Sequence, residues 1–114
     1  MQQIIIKKLF LLLNKSKKTH TDYISNGKIF FYTKKLIIIN KKILVLIKSI
    51  NFEQEKELKC LSLELKEHLE EWIINWNKQR KIKNPDNNDV FIFTGYKTFP
   101  KNLDKVLTIL LKHS

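Results

Sequence analysis

The chain has no alanine, one cysteine, two glycines, two prolines and a single arginine. Each shortage removes a class of function. Cys60 stands alone, so no disulfide framework can form within the chain. Its place beside an apolar stripe suits a small buried hydrophobe better than a nucleophile. Two glycines exclude a Gly-rich loop that cradles phosphates. No apolar run reaches the length of a membrane span, because Lys7 and Lys8, then Lys34, Lys35, Lys41 and Lys42, interrupt every candidate, and no membrane insertion is expected. The three histidines, His20, His68 and His113, are scattered. His68 has Glu64, Glu67 and Glu71 within a helical turn, but a metal site needs three or four ligands and no second His or Cys falls at helical spacing. A solvated acidic face carrying one histidine is the expectation there. Neither a nucleophile elbow nor a Ser–His–acid pattern is present. The chain therefore reads as a non-enzyme with no cofactor and no metal.

What is present is isoleucine (16), lysine (21) and asparagine (10). These are residues with AT-rich codons, which points to a very AT-rich genome. The apolar fraction of 43% is too high for a solvated coil. The length fits one domain. Net charge is +11, unevenly spread. Residues 53–71 hold seven of the eleven acids against three lysines, so the remainder carries nineteen basic and four acidic residues. Surfaces of opposite sign are implied, and the basic one suggests a polyanion. Residues 1–21 carry five lysines and no acid, like an organelle-targeting segment. An organelle-encoded gene would need no such signal, and the mitochondrial matrix is the expected location.

The chain is organised around residues 43–76, where Ile43–Ile47 reads as a strand buried on both faces. Asn51 and Gln54 follow as a capping box, with Glu53, Glu55 and Glu57 in the first turn. Leu58, Leu61, Leu65, Leu69, Trp72 and Trp76 then recur at steps of three and four, one helical stripe. At 1.5 Å per residue, a helix over 52–77 would span roughly 39 Å. Residues 2–13 lean to helix. Asn26-Gly27 between apolar runs predicts a β-hairpin over 21–33. Leu36–Ile39 and Ile43–Ile50 read as two strands around Asn40-Lys41-Lys42, and Val90–Thr94 as another. Leu103, Val106, Leu107, Leu110 and Leu111 have the spacing of a short amphipathic helix. The expected fold is α+β: a mixed sheet with one long and one short helix over residues 42–114. A basic N-terminal extension, 1–41, would carry the hairpin.

Basic residues interleave with aromatics and turns. Lys78, Arg80, Lys81 and Lys83 form one cluster in a predicted loop that Asn84-Pro85 closes. Tyr96 and Lys97, with Phe99 and Lys101 beyond, form a second. Lys34, Lys35, Lys41 and Lys42 form a third. Such residues can engage phosphates and stack on unpaired bases. Lysines at strand ends also serve as plain edge protection.

The order of elements resembles small-subunit ribosomal protein ten. The carrying residues are Lys42-Ile-Leu-Val-Leu-Ile-Lys-Ser-Ile-Asn-Phe52, similar to that family's first strand and helix start, and Val90-Phe-Ile-Phe-Thr94, similar to its next strand. The family's Gly-Pro-Ile-Pro-Leu-Pro run is absent, with Ile82-Lys-Asn-Pro85 in its place. Gly95-Tyr96-Lys97 replaces its Ser-Pro-His. The resemblance implies a ferredoxin-like fold and a structural constituent of the ribosomal small subunit. That protein would contact ribosomal RNA and neighbouring ribosomal proteins and would not be a homo-oligomer. The alternative is a non-catalytic assembly subunit of an organellar membrane complex or a viral particle, with the leucine–tryptophan stripe facing a partner helix.

Overall fold

A computed structural model of the protein describes residues 2–49, 56–92 and 108. They form three helices: α1 (Gln2–Ser25), α2 (Phe30–Ser49) and α3 (Lys56–Lys83). The expected ferredoxin-like α+β fold is overturned. Among the described residues there is no strand beyond one isolated bridge, Ile29 to Val90. The capping box at 51–54 and the short helix at 103–111 lie outside the described residues, apart from Thr108.

The two expected strands at 36–50 are one continuous helix through residue 49. The reason lies in periodicity. Phe30, Thr33, Leu36, Ile37, Asn40, Ile43, Leu44 and Ile47 are buried at steps of three and one, with Ile39 buried beside them. That is a helical stripe, whereas a strand would bury every second residue. Val45, which a two-faced strand would bury, is exposed. The lysine pairs at 34–35 and 41–42 stand seven residues apart, two helical turns, so they recur on one side of the helix. A buried strand would force one lysine of each pair into each face. The β-branched content lowers helix propensity by only tenths of a kcal/mol per residue. Burial of about 1.5–3 kcal/mol per large apolar side chain outweighs it. The expected boundary between 41 and 42 falls in the middle of this helix.

α1 buries Ile6, Leu9, Leu13, Ser16 and Thr19 at steps of three and four. α2 packs against both other helices. One core joins Leu9 and Leu13 of α1, Ile43 and Ile47 of α2, and Leu65 and Leu69 of α3. A second gathers Phe30, Leu36 and Ile37 with Trp72, Trp76 and Phe91. The leucine–tryptophan stripe from Leu65 to Trp76 is therefore interior to this chain. Between α1 and α2 the register is pinned by a buried hydrogen bond, Ser16 Oγ donating to Asn40 Oδ1 at 2.9 Å.

Asn26-Gly27 does reverse the chain, but as a helix stop and not a hairpin. Gly27 takes φ +83° and Lys28 φ +55°. The Lys28 N–H bonds the Tyr23 carbonyl at 2.8 Å, the six-to-one closure of a Schellman cap. α3 ends similarly at Asn84, with φ +43° and its N–H on the Arg80 carbonyl at 2.9 Å, just before Pro85. The chain then returns across the start of α2. Phe30 and Phe31 donate their N–H groups to the carbonyls of Asp89 and Asn87, at 2.8 and 3.0 Å, and Phe91 donates to Lys28 at 2.9 Å. The unpaired first-turn donors of α2 are thus satisfied by residues almost sixty positions away.

Candidate nucleic-acid interface

The sequence places a basic cluster at 78–83 in a loop. The structure places Lys78, Arg80, Lys81 and Lys83 in the last turns of α3, all exposed. There they oppose the negative end of the helix dipole. Lys34, Lys35, Lys41 and Lys42 lie along α2, the first half-buried and the rest exposed. Tyr96, Lys97 and Lys101 lie outside the described residues.

The start of α2 and the end of α3 meet through aromatic rings. Phe30 stacks on Trp76, with centroids 5.7 Å apart and planes 7° from parallel, and meets the buried Phe91 edge-on at 5.0 Å. The Trp76 indole N–H donates to Thr33 Oγ1 at 3.0 Å, and that hydroxyl donates to the Phe30 carbonyl at 2.7 Å. Three cations lie over this cluster: Lys34 over Phe30 at 5.7 Å, Arg80 over Trp76 at 5.3 Å, and Lys83 over Phe91 at 5.6 Å. Each such contact contributes about 0.5–1 kcal/mol at an exposed site. They hold the cations at one end of the bundle. Lys83 also donates to the Ile92 carbonyl at 3.0 Å, which leaves two of its three donors for an anion.

Beside this cluster, Phe31 and Tyr32 meet edge-on at 5.3 Å, and the Lys35 ammonium lies 4.5 Å from the Phe31 ring centre and 5.8 Å from that of Tyr32. Phe31 is 37% exposed. An exposed ring beside a lysine offers a base a stacking face and its phosphate a counter-charge. No family model, curated protein or solved structure matches this chain. The site's chemistry therefore has to be read from its own residues.

The structure thus brings Lys34, Lys35, Arg80 and Lys83 to one end. Lys41 and Lys42 stand two turns further along α2. Phe31 and Tyr32 are additions that the sequence reading missed. Their signal was an aromatic followed four residues later by a cation, at Phe30/Lys34, Phe31/Lys35 and Trp76/Arg80. That spacing carries meaning only on a helix, whereas the Asn26-Gly27 signal predicts hairpin strand at 30–33. Other residues depart from expectation as well. Cys60 is exposed and not buried. His68 is buried and not on a solvated face.

Two titratable groups of α1 sit close behind the turn. Tyr23 donates its hydroxyl to the Phe91 carbonyl, and burial raises its pKa. His20, with its ring centre 6.1 Å from that of Tyr23, has its pKa lowered, first by burial and then by the charge of Lys28. Both shifts favour the neutral form, and the positive charge at this end of the bundle comes from lysine and arginine, beside Asp86 and Asp89. No described helix is long and apolar enough to cross a membrane.

Proposed function

We propose that the chain is a non-catalytic RNA-binding protein, a structural constituent of a ribonucleoprotein particle. The observation that carries the reading is the convergence of Lys34, Lys35, Arg80 and Lys83 with the exposed Phe31 and its half-buried neighbour Tyr32 at one end of the bundle. Lysine and arginine neutralise phosphates, and Arg80 can also grip one bidentately. Phe31 can stack on an unpaired base, worth about 1–3 kcal/mol. α1 and α2 supply ten lysines against one aspartate, Asp22, which extends the positive field along the molecule.

The particle we propose is the small subunit of an organellar ribosome in the mitochondrial matrix, with ribosomal RNA and neighbouring ribosomal proteins as partners. Its support is the basic surface and the AT-rich residue usage. The likeness to small-subunit ribosomal protein ten lends no support, because the stretch that carried it, from Lys42 on, begins within α2 and not in a strand.

The test is the salt dependence of binding to single-stranded and structured ribosomal RNA fragments. Counterion release makes log K fall with log salt by about 0.7–0.9 per neutralised phosphate. The variant Lys35→Gln/Arg80→Gln should weaken binding and shallow that slope by nearly two units. Phe31→Ala should weaken binding to single strands and leave the slope unchanged. Affinity that is indifferent to salt and to all three substitutions would refute the reading.

A further inference from the structure

A second surface lies away from this end. The N-terminal half of α1 and the C-terminal half of α2 leave an open groove of about 490 Å³, lined by Lys8, Leu11, Leu12, Lys42, Val45 and Leu46. α3 contributes nothing to it. Leu12 and Leu46, half-buried and packed on the core, form its floor. Leu11 and Val45, 66% and 67% exposed, form its walls. Lys8 and Lys42 stand at its margins. The buried Ser16–Asn40 hydrogen bond holds the two helices in this register, so the groove exists before anything occupies it.

We propose that this groove receives an acidic amphipathic helix from a protein partner. The inference does not depend on the RNA reading and uses other residues. The argument for a helix is shape. The trough between two antiparallel helices is a natural seat for a third. A lipid surface would instead call for apolar side chains on a convex face. The argument for acidic character is charge. Asp22 is the sole acid on α1 and α2, and it stands fourteen residues from Lys8. Glutamates flanking the partner's apolar stripe would meet Lys8 and Lys42. The same charge disfavours the chain's own amphipathic stretch at 103–111, which is flanked by Lys101, Lys105 and Lys112 against Asp104.

The experiment uses the full chain and a labelled synthetic peptide of about 18 residues, roughly 27 Å of helix. The peptide has leucines at steps of three and four and glutamates beside them. A peptide of the same composition in scrambled order is the control. Saturable binding is expected for the first peptide alone, with a gain in helical circular dichroism. Leu11→Gln/Val45→Gln should weaken it by about tenfold or more. Both positions are exposed, so the fold should persist. Lys8→Glu/Lys42→Glu should weaken it several-fold and make it less salt-sensitive. Lys35→Gln/Arg80→Gln should leave peptide binding intact, and Leu11→Gln/Val45→Gln should leave RNA binding intact, so that the two surfaces are separable. Equal binding of the scrambled peptide, or no effect of Leu11→Gln/Val45→Gln, would overturn the proposal. So would either of two transfers of the groove to another occupant. One is binding to phosphatidylserine-containing vesicles, in place of the peptide, that Leu11→Gln/Val45→Gln abolishes. The other is self-association that the same variant abolishes, which would assign the groove to the acidic stretch Glu64–Glu71 of α3 in a second copy.

Discussion

Asn75 is 2% exposed in α3, and neither its amide nitrogen nor its amide oxygen has a hydrogen-bond partner. Ser62 Oγ, also on α3, is buried in the same condition. An unpaired buried polar group costs about 1–3 kcal/mol. Asn75→Leu keeps the branching at Cγ and removes the unpaired polar groups at the expense of a somewhat larger side chain, so it should raise stability by up to about 1 kcal/mol, read as a higher urea midpoint at unchanged slope. A lower midpoint would show that the amide is needed where it is. His20 contributes with a definite sign. Its pKa is lowered in the fold from the ordinary value of 6.5, so the unfolded chain binds the proton more readily. Its contribution is fully present above 6.5 and is lost as pH falls through 6.5 to the lowered value. The urea midpoint should decline as pH falls below 6.5, and His20→Gln should flatten that part of the decline.

The link after each helix decides how the elements meet. Gly27 at φ +83° closes α1, and an added Cβ there is strained whatever the space around it. Gly27→Ala should cost about 1–2 kcal/mol in equilibrium unfolding. An unchanged midpoint would mean that the cap re-forms elsewhere. The strap from Asp86 to Ile92 ties the end of α3 back to the turn between α1 and α2. Asp89 accepts the Asp86 N–H on its carboxylate at 2.8 Å, and its carbonyl receives Phe30. Tyr23 adds its hydroxyl to the Phe91 carbonyl. Tyr23→Phe should lose about 0.5–1.5 kcal/mol. It should also speed hydrogen exchange at the Phe91 amide more than at the middle of α1.

Across the whole molecule, α2 and α3 both run through the two cores, α3 through Leu65 and Leu69 in one and Trp72 and Trp76 in the other. Leu65→Ala should therefore cost about 2–5 kcal/mol and lower a single cooperative transition. A loss below about 0.5 kcal/mol, the usual surface range, would place the stripe outside the core. Charge is arranged at this scale as well. α1 and α2 carry ten lysines and one acid, while Glu64, Glu67, Glu70 and Glu71 lie along α3. One of these pairs with a neighbour on its own helix, Lys66 to Glu70 at 3.9 Å. An exposed pair of that kind adds little stability. The charges bear on partners more than on the fold.

Residue pattern alone determined the buried stripe from Leu65 to Trp76, the reversal at Asn26-Gly27, the break at Asn84-Pro85 and the separation of charge. Each is local: helical spacing, a residue tolerant of positive φ, a missing N–H, a count of ionised groups. Tertiary structure decided that 30–49 is helix. Its isoleucine-rich runs suit a strand or a helix about equally, and the choice turns on what is available to cover them. Leu9 and Leu13 on one side, with Leu65 and Leu69 on the other, offer Ile43 and Ile47 surfaces of helical period. Tertiary structure also turned Lys34 and Arg80, forty-six residues apart, into neighbours around Phe30 and Trp76. No spacing in the sequence encodes that proximity, because it exists only once α2 and α3 have packed.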